Sequence, residues 1–162
     1  MYILGNAINV ILKRTVNIYL DIEQVLILND GHIVPHVKNF LKTITTHNVY
    51  WLTANNGGNN EFELKRLVPL LDNDEINLIS LINHCKWDMI RTDAIDFSQP
   101  FLWFTHSVDE FEMEDLQRHK CMVNLHIINC TVEPDALKSL AHKLPQPVQP
   151  DTTHSPYKYK MK

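Results

Sequence analysis

Two acidic residues, Asp21 and Glu23, lie where the first predicted strand ends. Residues 16–22 (VNIYLDI) form a short β-branched and aromatic run, which is typical of a buried central strand. In open α/β sheets, sites gather at the carboxyl ends of the strands. A carboxylate there can act as a nucleophile, and a second one nearby can transfer a proton. The pair therefore predicts a site at the end of this strand.

The surrounding pattern predicts the elements that would position this pair. Further strands are predicted at 49–53 (VYWLT), 101–105 (FLWFT) and 122–128 (MVNLHII). Helices are predicted after Pro35 and over 62–71, 112–119 and 131–144, whereas 76–82 is ambiguous between strand and helix, and 91–97 forms one or two helical turns. This alternation predicts a three-layer α/β/α Rossmann-like fold with a mainly parallel central sheet.

A short segment follows the two acidic residues. Asn29, Asp30 and Gly31 form a turn signal between the apolar runs 25–28 and 32–34. The pattern predicts a small hairpin or flap beside the site.

The length of 162 residues predicts one domain with a core of its own. We place this domain at residues 1–144, with 1–15 as a leading strand or arm. Residues 145–162 contain four prolines and end in alternating lysines, which is typical of an extended, flexible tail.

Composition and charge limit the partners and the cellular location that the sequence predicts. A net charge of −4 gives no general attraction for duplex nucleic acid, and no stretch has the apolar length of a membrane helix. Three cysteines at unpatterned spacing favour reduced thiols and a cytoplasmic location. The sequence leaves the oligomeric state open.

Four segments, in the order YLDIEQVL, VYWLTAN, RTDAI and PFLWF, resemble the signature segments of the haloacid dehalogenase (HAD) superfamily. The resemblance is greatest to the small capless forms placed in RNA repair systems, and it covers about residues 16–144. It implies a HAD-like fold and a magnesium-dependent phosphatase, that is, a hydrolase.

The resemblance also implies a role for each matched residue. Asp21 would be the nucleophile, Glu23 the general acid and base, Thr53 a hydrogen-bond donor to the phosphoryl group, and Arg91 its cationic partner. The implied phosphate-binding set is Thr53, Ala54, Asn55 and Arg91.

The chain departs from the family pattern at several of these positions. Glu23 is longer than the usual aspartate, Gln24 replaces a glycine, and Arg91 replaces a lysine. Thr105 and His106 stand where paired acids normally bind magnesium. The implied metal ligands are therefore Asp21 and Glu23, with Asp109 or Glu110 as a substitute.

Three functions stay open on these residues. The first is a degenerate HAD-like phosphohydrolase that binds a phosphorylated small molecule and has little or no phosphomonoesterase activity. The second is a catalytically inactive pseudoenzyme that acts as a binding or regulatory protein, with a protein partner. The third is a phosphatase that processes nucleic-acid ends.

Four residues near the end of the chain invite a zinc interpretation, which their spacing disfavours. They are His119, Cys121, His126 and Cys130. Side chains alternate between the faces of a strand, and no close CxxC pair is present.

Overall fold

A five-stranded, wholly parallel sheet forms the centre of the protein. The computed structural model describes residues 15–153, apart from the side chain of Asn56. Its strand order is β3-β2-β1-β4-β5. The strands are β1 Asn17–Leu20, β2 Asn48–Trp51, β3 Asn83–His84, β4 Phe101–Thr105 and β5 Leu125–Ile127. This confirms the predicted α/β Rossmann-like fold.

Five helices connect the strands and pack on the sheet. They are α1 Val37–Ile44, α2 Glu61–Leu67, α3 Asn73–Ile79, α4 Glu110–Arg118 and α5 Ala136–His142. Capping boxes fix the starts of α3 and α4, because Asp72 and Asp109 each accept a hydrogen bond from the backbone of a glutamate three residues later.

The alternation of side chains along β1 divides the core into two layers. Ile18 and Leu20 are fully buried in a cluster with Phe40 of α1. Tyr19 points to the other face and packs in a second cluster with Trp103 and Leu116 of α4. Both faces of the central strand are thus covered by helices, as expected for a parallel sheet.

The predicted elements agree with the structure best where the apolar runs are long. The strand predicted at 101–105 is β4 itself. The strand predicted at 122–128 divides into a 3-10 turn, Met122–Asn124, followed by β5. The segment 76–82, for which the sequence pattern left strand and helix open, begins within α3 and continues past its end at Ile79. The two-residue strand β3 that follows was not predicted.

The predicted flap is confirmed as a small bridged hairpin. An antiparallel bridge joins Ile27 and Ile33, and the Leu28 amide donates to the His32 carbonyl at 2.8 Å. Val25, Leu26 and Ile27 are fully buried, so the hairpin is part of the core.

The structure describes more of the predicted C-terminal tail than of the predicted N-terminal arm. The predicted arm lies outside the described residues except for Thr15, and 154–162 lie outside them as well. Residues 145–153 of the predicted tail pack against the domain, because both backbone polar groups of Val148 bond the Asn124 amide at 2.8 Å. Within 15–153, no helix is long and apolar enough to cross a membrane.

Candidate functional site

The strand order places the candidate site at the centre of the sheet. The chain runs from β1 outward to β2 and β3, then returns to the other side of β1 with β4 and β5. Such a reversal opens a crevice at the carboxyl ends of the two strands that flank it. Asp21 follows β1 there, and Thr105 ends the neighbouring strand β4.

Asp21 is buried and its carboxylate is already surrounded by partners. Oδ1 accepts a hydrogen bond from the amide of Ile22 at 2.8 Å. Oδ2 accepts one from the Thr105 hydroxyl at 2.9 Å and lies 3.2 Å from Nδ1 of His106. Nη1 of Arg91 lies 3.5 Å from the same oxygen. The outer oxygen of the predicted nucleophile therefore has three partners.

Arg91 is a buried structural cation, since its side chain is 6% exposed. Its Nε and Nη2 donate to the two carboxylate oxygens of Glu112 at 2.8 and 2.7 Å. Nη1 donates to Thr105 Oγ1 and Nη2 to the Ser107 carbonyl. With the contact to Asp21, five hydrogen bonds engage all five N–H groups of the guanidinium.

Glu112 is the functional neighbour that the sequence interpretation missed. The sequence pattern predicts only that it lies in a helix, whereas the residue is 2% exposed and its side chain binds Arg91. It also bonds the backbone amide of Asp109, so the same carboxylate caps α4. The spacing Asp109-x-x-Glu112 was the available signal, because it is a capping-box pattern. That pattern does not predict that Glu112 also binds Arg91.

The predicted phosphate-binding residues are split between two environments. Thr53 is buried, and its hydroxyl donates to Asn60 Oδ1 at 2.5 Å, so it faces the loop before α2. Ala54 and Asn55 are exposed and line the crevice. The structure brings Ala54 and Asn55 to the cleft beside Asp21. The Thr53 hydroxyl is bound to Asn60 instead, and the Arg91 donors are taken up by neighbouring protein groups, with Asp21 among them.

Glu23 and Gln24 form the flap side of the crevice. The carboxylate of Glu23 pairs with Arg66 of α2. Gln24 has a φ of 62°, in the left-handed region that favours glycine. Its side chain bonds Asn29 and lies 3.4 Å from the Thr131 hydroxyl. The flap is thus tied to the loop after β5.

These residues enclose an open cleft of about 570 Å³. Two carboxylates, one imidazole and mainly amide or hydroxyl side chains face it. The lining residues are Asp21, Glu23, Gln24, Asn29, Ala54, Asn55, His106, Asn129 and Thr131. No lysine or arginine lines this cleft among the residues that the structure describes.

The donors around Asp21 do not fit the magnesium ion that the resemblance implies. The guanidinium of Arg91 is a cation beside the Asp21 carboxylate, where a second cation would be repelled. Glu23 is paired with Arg66, and the Asp109 carboxylate caps α4. Within 15–153, no three His, Cys, Asp or Glu side chains are grouped to hold a metal. Asp21, Glu23 and Asp109 are therefore not assembled as ligands.

The four possible zinc ligands are not assembled either. His119, Cys121, His126 and Cys130 do not form a metal-holding group within the described part of the chain. Burial raises the pKa of the Cys121 thiol to about 12 and that of Cys130 to about 11. In the metal-free protein both thiols therefore stay protonated at neutral pH.

Comparisons of the chain with protein-family models, curated proteins and solved structures give no match.

Proposed function

We propose that the chain is a catalytically silent domain of HAD-like ancestry that binds a small ligand in the cleft beside Asp21. The order of the four signature segments supports the ancestry, as does a carboxylate placed after β1 at the reversal of strand order. The observation that carries the proposal is the contact of one Asp21 oxygen with Thr105, His106 and Arg91.

These contacts oppose nucleophilic catalysis. A carboxylate oxygen that accepts several hydrogen bonds is stabilised as an anion and loses nucleophilic strength. The position beside it already holds the Arg91 guanidinium, and this cation has no N–H left for a phosphoryl oxygen.

Hydrolysis assays test the proposal directly. Phosphorylated sugars and nucleic-acid oligomers with a terminal phosphate are incubated with the protein, with and without magnesium. We expect phosphate release to equal that of Asp21→Asn, with Asp30→Asn on the exposed flap turn as a matched control. Magnesium-dependent release that Asp21→Asn abolishes and Asp30→Asn retains would contradict the proposal and support the phosphatase alternatives.

A further inference from the structure

Three asparagine side chains that line the cleft each have one amide end engaged in a hydrogen bond and the other end without one among the described residues. Asn55 donates through Nδ2 to Glu63, which leaves its Oδ1 without a partner among the described residues. Asn29 accepts through Oδ1 from Gln24. Asn129 accepts through Oδ1 from the Thr131 and Val132 amides. The Nδ2 groups of Asn29 and Asn129 remain as donors.

Each of these amides is oriented by the contact at its other end. The orientation of Asn129 follows from its turn, because only the amide oxygen can accept from two backbone N–H groups. The cleft therefore offers one donor of fixed orientation, at Asn129, and a second at Asn29, which is set against the Gln24 amide; the acceptors beside them belong to Asn55 and Glu23.

This pattern discriminates between classes of ligand. A phosphate group offers only acceptors at neutral pH and would meet the carboxylates of Asp21 and Glu23. An ammonium group offers only donors and would oppose the two Nδ2 groups. A hydroxyl group both donates and accepts, so several hydroxyls on one frame can satisfy both sets.

The charge of the surroundings agrees with an uncharged ligand. The cleft carboxylates already have cationic partners, since Arg91 contacts Asp21 and Arg66 contacts Glu23. With Glu112 and Glu63 included, the latter in contact with Asn55, these six groups sum to a formal charge of −2. This small negative charge disfavours an anionic ligand without creating a strong cation site.

Gln24 is held in a strained backbone conformation at the wall of the cleft. A residue other than glycine in the left-handed region is disfavoured by about 1–2 kcal/mol. The Gln24 side chain, held in that conformation, holds Asn29 and lies against Thr131 across the cleft.

We infer that the cleft binds an uncharged polyol of the sugar class, with Asn29 and Asn129 as donors and Asn55 as an acceptor. This inference rests on the proposed binding function and names its ligand. It is independent of whether the protein turns over a phosphate ester, because hydrolysis and sugar binding are measured separately.

The test is a titration of the whole chain followed by NMR of the asparagine side-chain amides. The probes are ribose, glucose and inositol, their monophosphates, and spermidine as a polycation. We expect saturable shifts of the Asn29 and Asn129 amides with at least one neutral polyol. Its monophosphate should bind at least about tenfold more weakly.

Asn129→Asp provides the matched variant. It keeps the oxygen that accepts from the turn amides and removes the Nδ2 donor, so the fold is retained while polyol affinity falls about tenfold. Asn59→Asp is the control, because Asn59 also accepts from a backbone amide two residues later but does not line the cleft. It should leave affinity unchanged.

Three results would overturn the inference. They are tighter binding of the monophosphates than of the neutral polyols, binding of spermidine alone, and no saturable shift with any polyol up to about 50 mM, well beyond the range of a specific site. Phosphate turnover, in contrast, would contradict the silent-domain proposal and leave a measured polyol affinity in place.

Discussion

Arg91 and Glu112 form a side-on, two-point ion pair inside the protein, with Nε to Oε1 at 2.8 Å and Nη2 to Oε2 at 2.7 Å. The guanidinium also lies over the ring of Trp103, with Cζ 4.9 Å from the centroid. One cation thus joins the turn before β4, the end of β4 and the first turn of α4. The packing of the site depends on this pair.

Removing the cation should be strongly destabilising. Arg91→Met leaves the carboxylates of Asp21 and Glu112 buried without their cationic partner, and we expect a loss of about 3–5 kcal/mol in the free energy of unfolding. Urea denaturation measures this loss. Lys65→Met, which breaks the exposed pair with Glu61, is the control and should leave the urea midpoint nearly unchanged.

A double-mutant cycle separates the pair from general disruption. In Arg91→Met/Glu112→Gln one buried charge is removed together with its partner, so the combined loss should be smaller than the sum of the single losses by about 1–3 kcal/mol. Additive losses would mean that the two side chains do not act as a pair.

Replacing Gln24 by glycine tests whether backbone strain or side-chain contacts have the larger effect on stability. Gln24→Gly removes the strain of a φ of 62°, and we expect the free energy of unfolding to rise by about 0.5–1 kcal/mol. Thermal and urea unfolding measure the change. Gln117→Gly, inside α4, should instead lower stability by about 1 kcal/mol. A loss of stability in Gln24→Gly would show that the side-chain contacts outweigh the strain.

Two glycines differ in the space around them and predict different costs. A Cβ on Gly58, whose φ is 92°, would lie 2.3 Å from the Cys85 carbonyl oxygen, whereas one on Gly31, with φ 84°, meets nothing within 4 Å. Gly31→Ala should cost only the backbone strain, about 1–2 kcal/mol. Gly58→Ala must also move the Cys85 backbone, and we expect at least about 1 kcal/mol more. Equal midpoints in urea denaturation would contradict this difference.

The sheet could be predicted from the sequence because its strands are buried on both faces. Apolar runs such as 101–105 have the composition of a parallel strand, and the whole of β4 is buried. The strand β3 has only two residues, Asn83 and His84, both exposed, so no apolar pattern marks it. Short edge strands are held by backbone pairing, here to β2, and leave little trace in composition.

The site was predictable in position but not in chemistry. Asp21 at the end of β1 follows from the strand pattern and the general location of α/β sites. The role of Arg91 depends on Glu112, which is 21 residues away along the chain and meets it only through packing of α4. The sequence alone shows that a cation is present at position 91. Only the fold shows that its N–H groups are already bound to other protein groups.

The last prediction concerns stability at high pH. Burial is the main reason that the pKa of Tyr19 is raised from 10.0 to about 12, so the folded protein holds this proton where the unfolded chain releases it. The unfolded state binds fewer protons over this interval, and stability therefore falls as the pH rises through it. Below about pH 10 the group contributes no pH dependence, and the loss is about 1.4 kcal/mol per pH unit between the two pKa values.

Tyr19→Phe should remove this contribution while the buried thiols keep theirs. Urea denaturation at intervals between about pH 9 and pH 11 gives the dependence for both proteins. We expect a shallower fall in the variant, by a difference in slope that grows with pH and approaches one proton near about pH 11, together with a constant loss at every pH because the Asp96 amide loses its acceptor. Parallel curves would show that the Tyr19 hydroxyl ionises alike in the folded and unfolded chains, and burial of its ring would then have no effect on its proton.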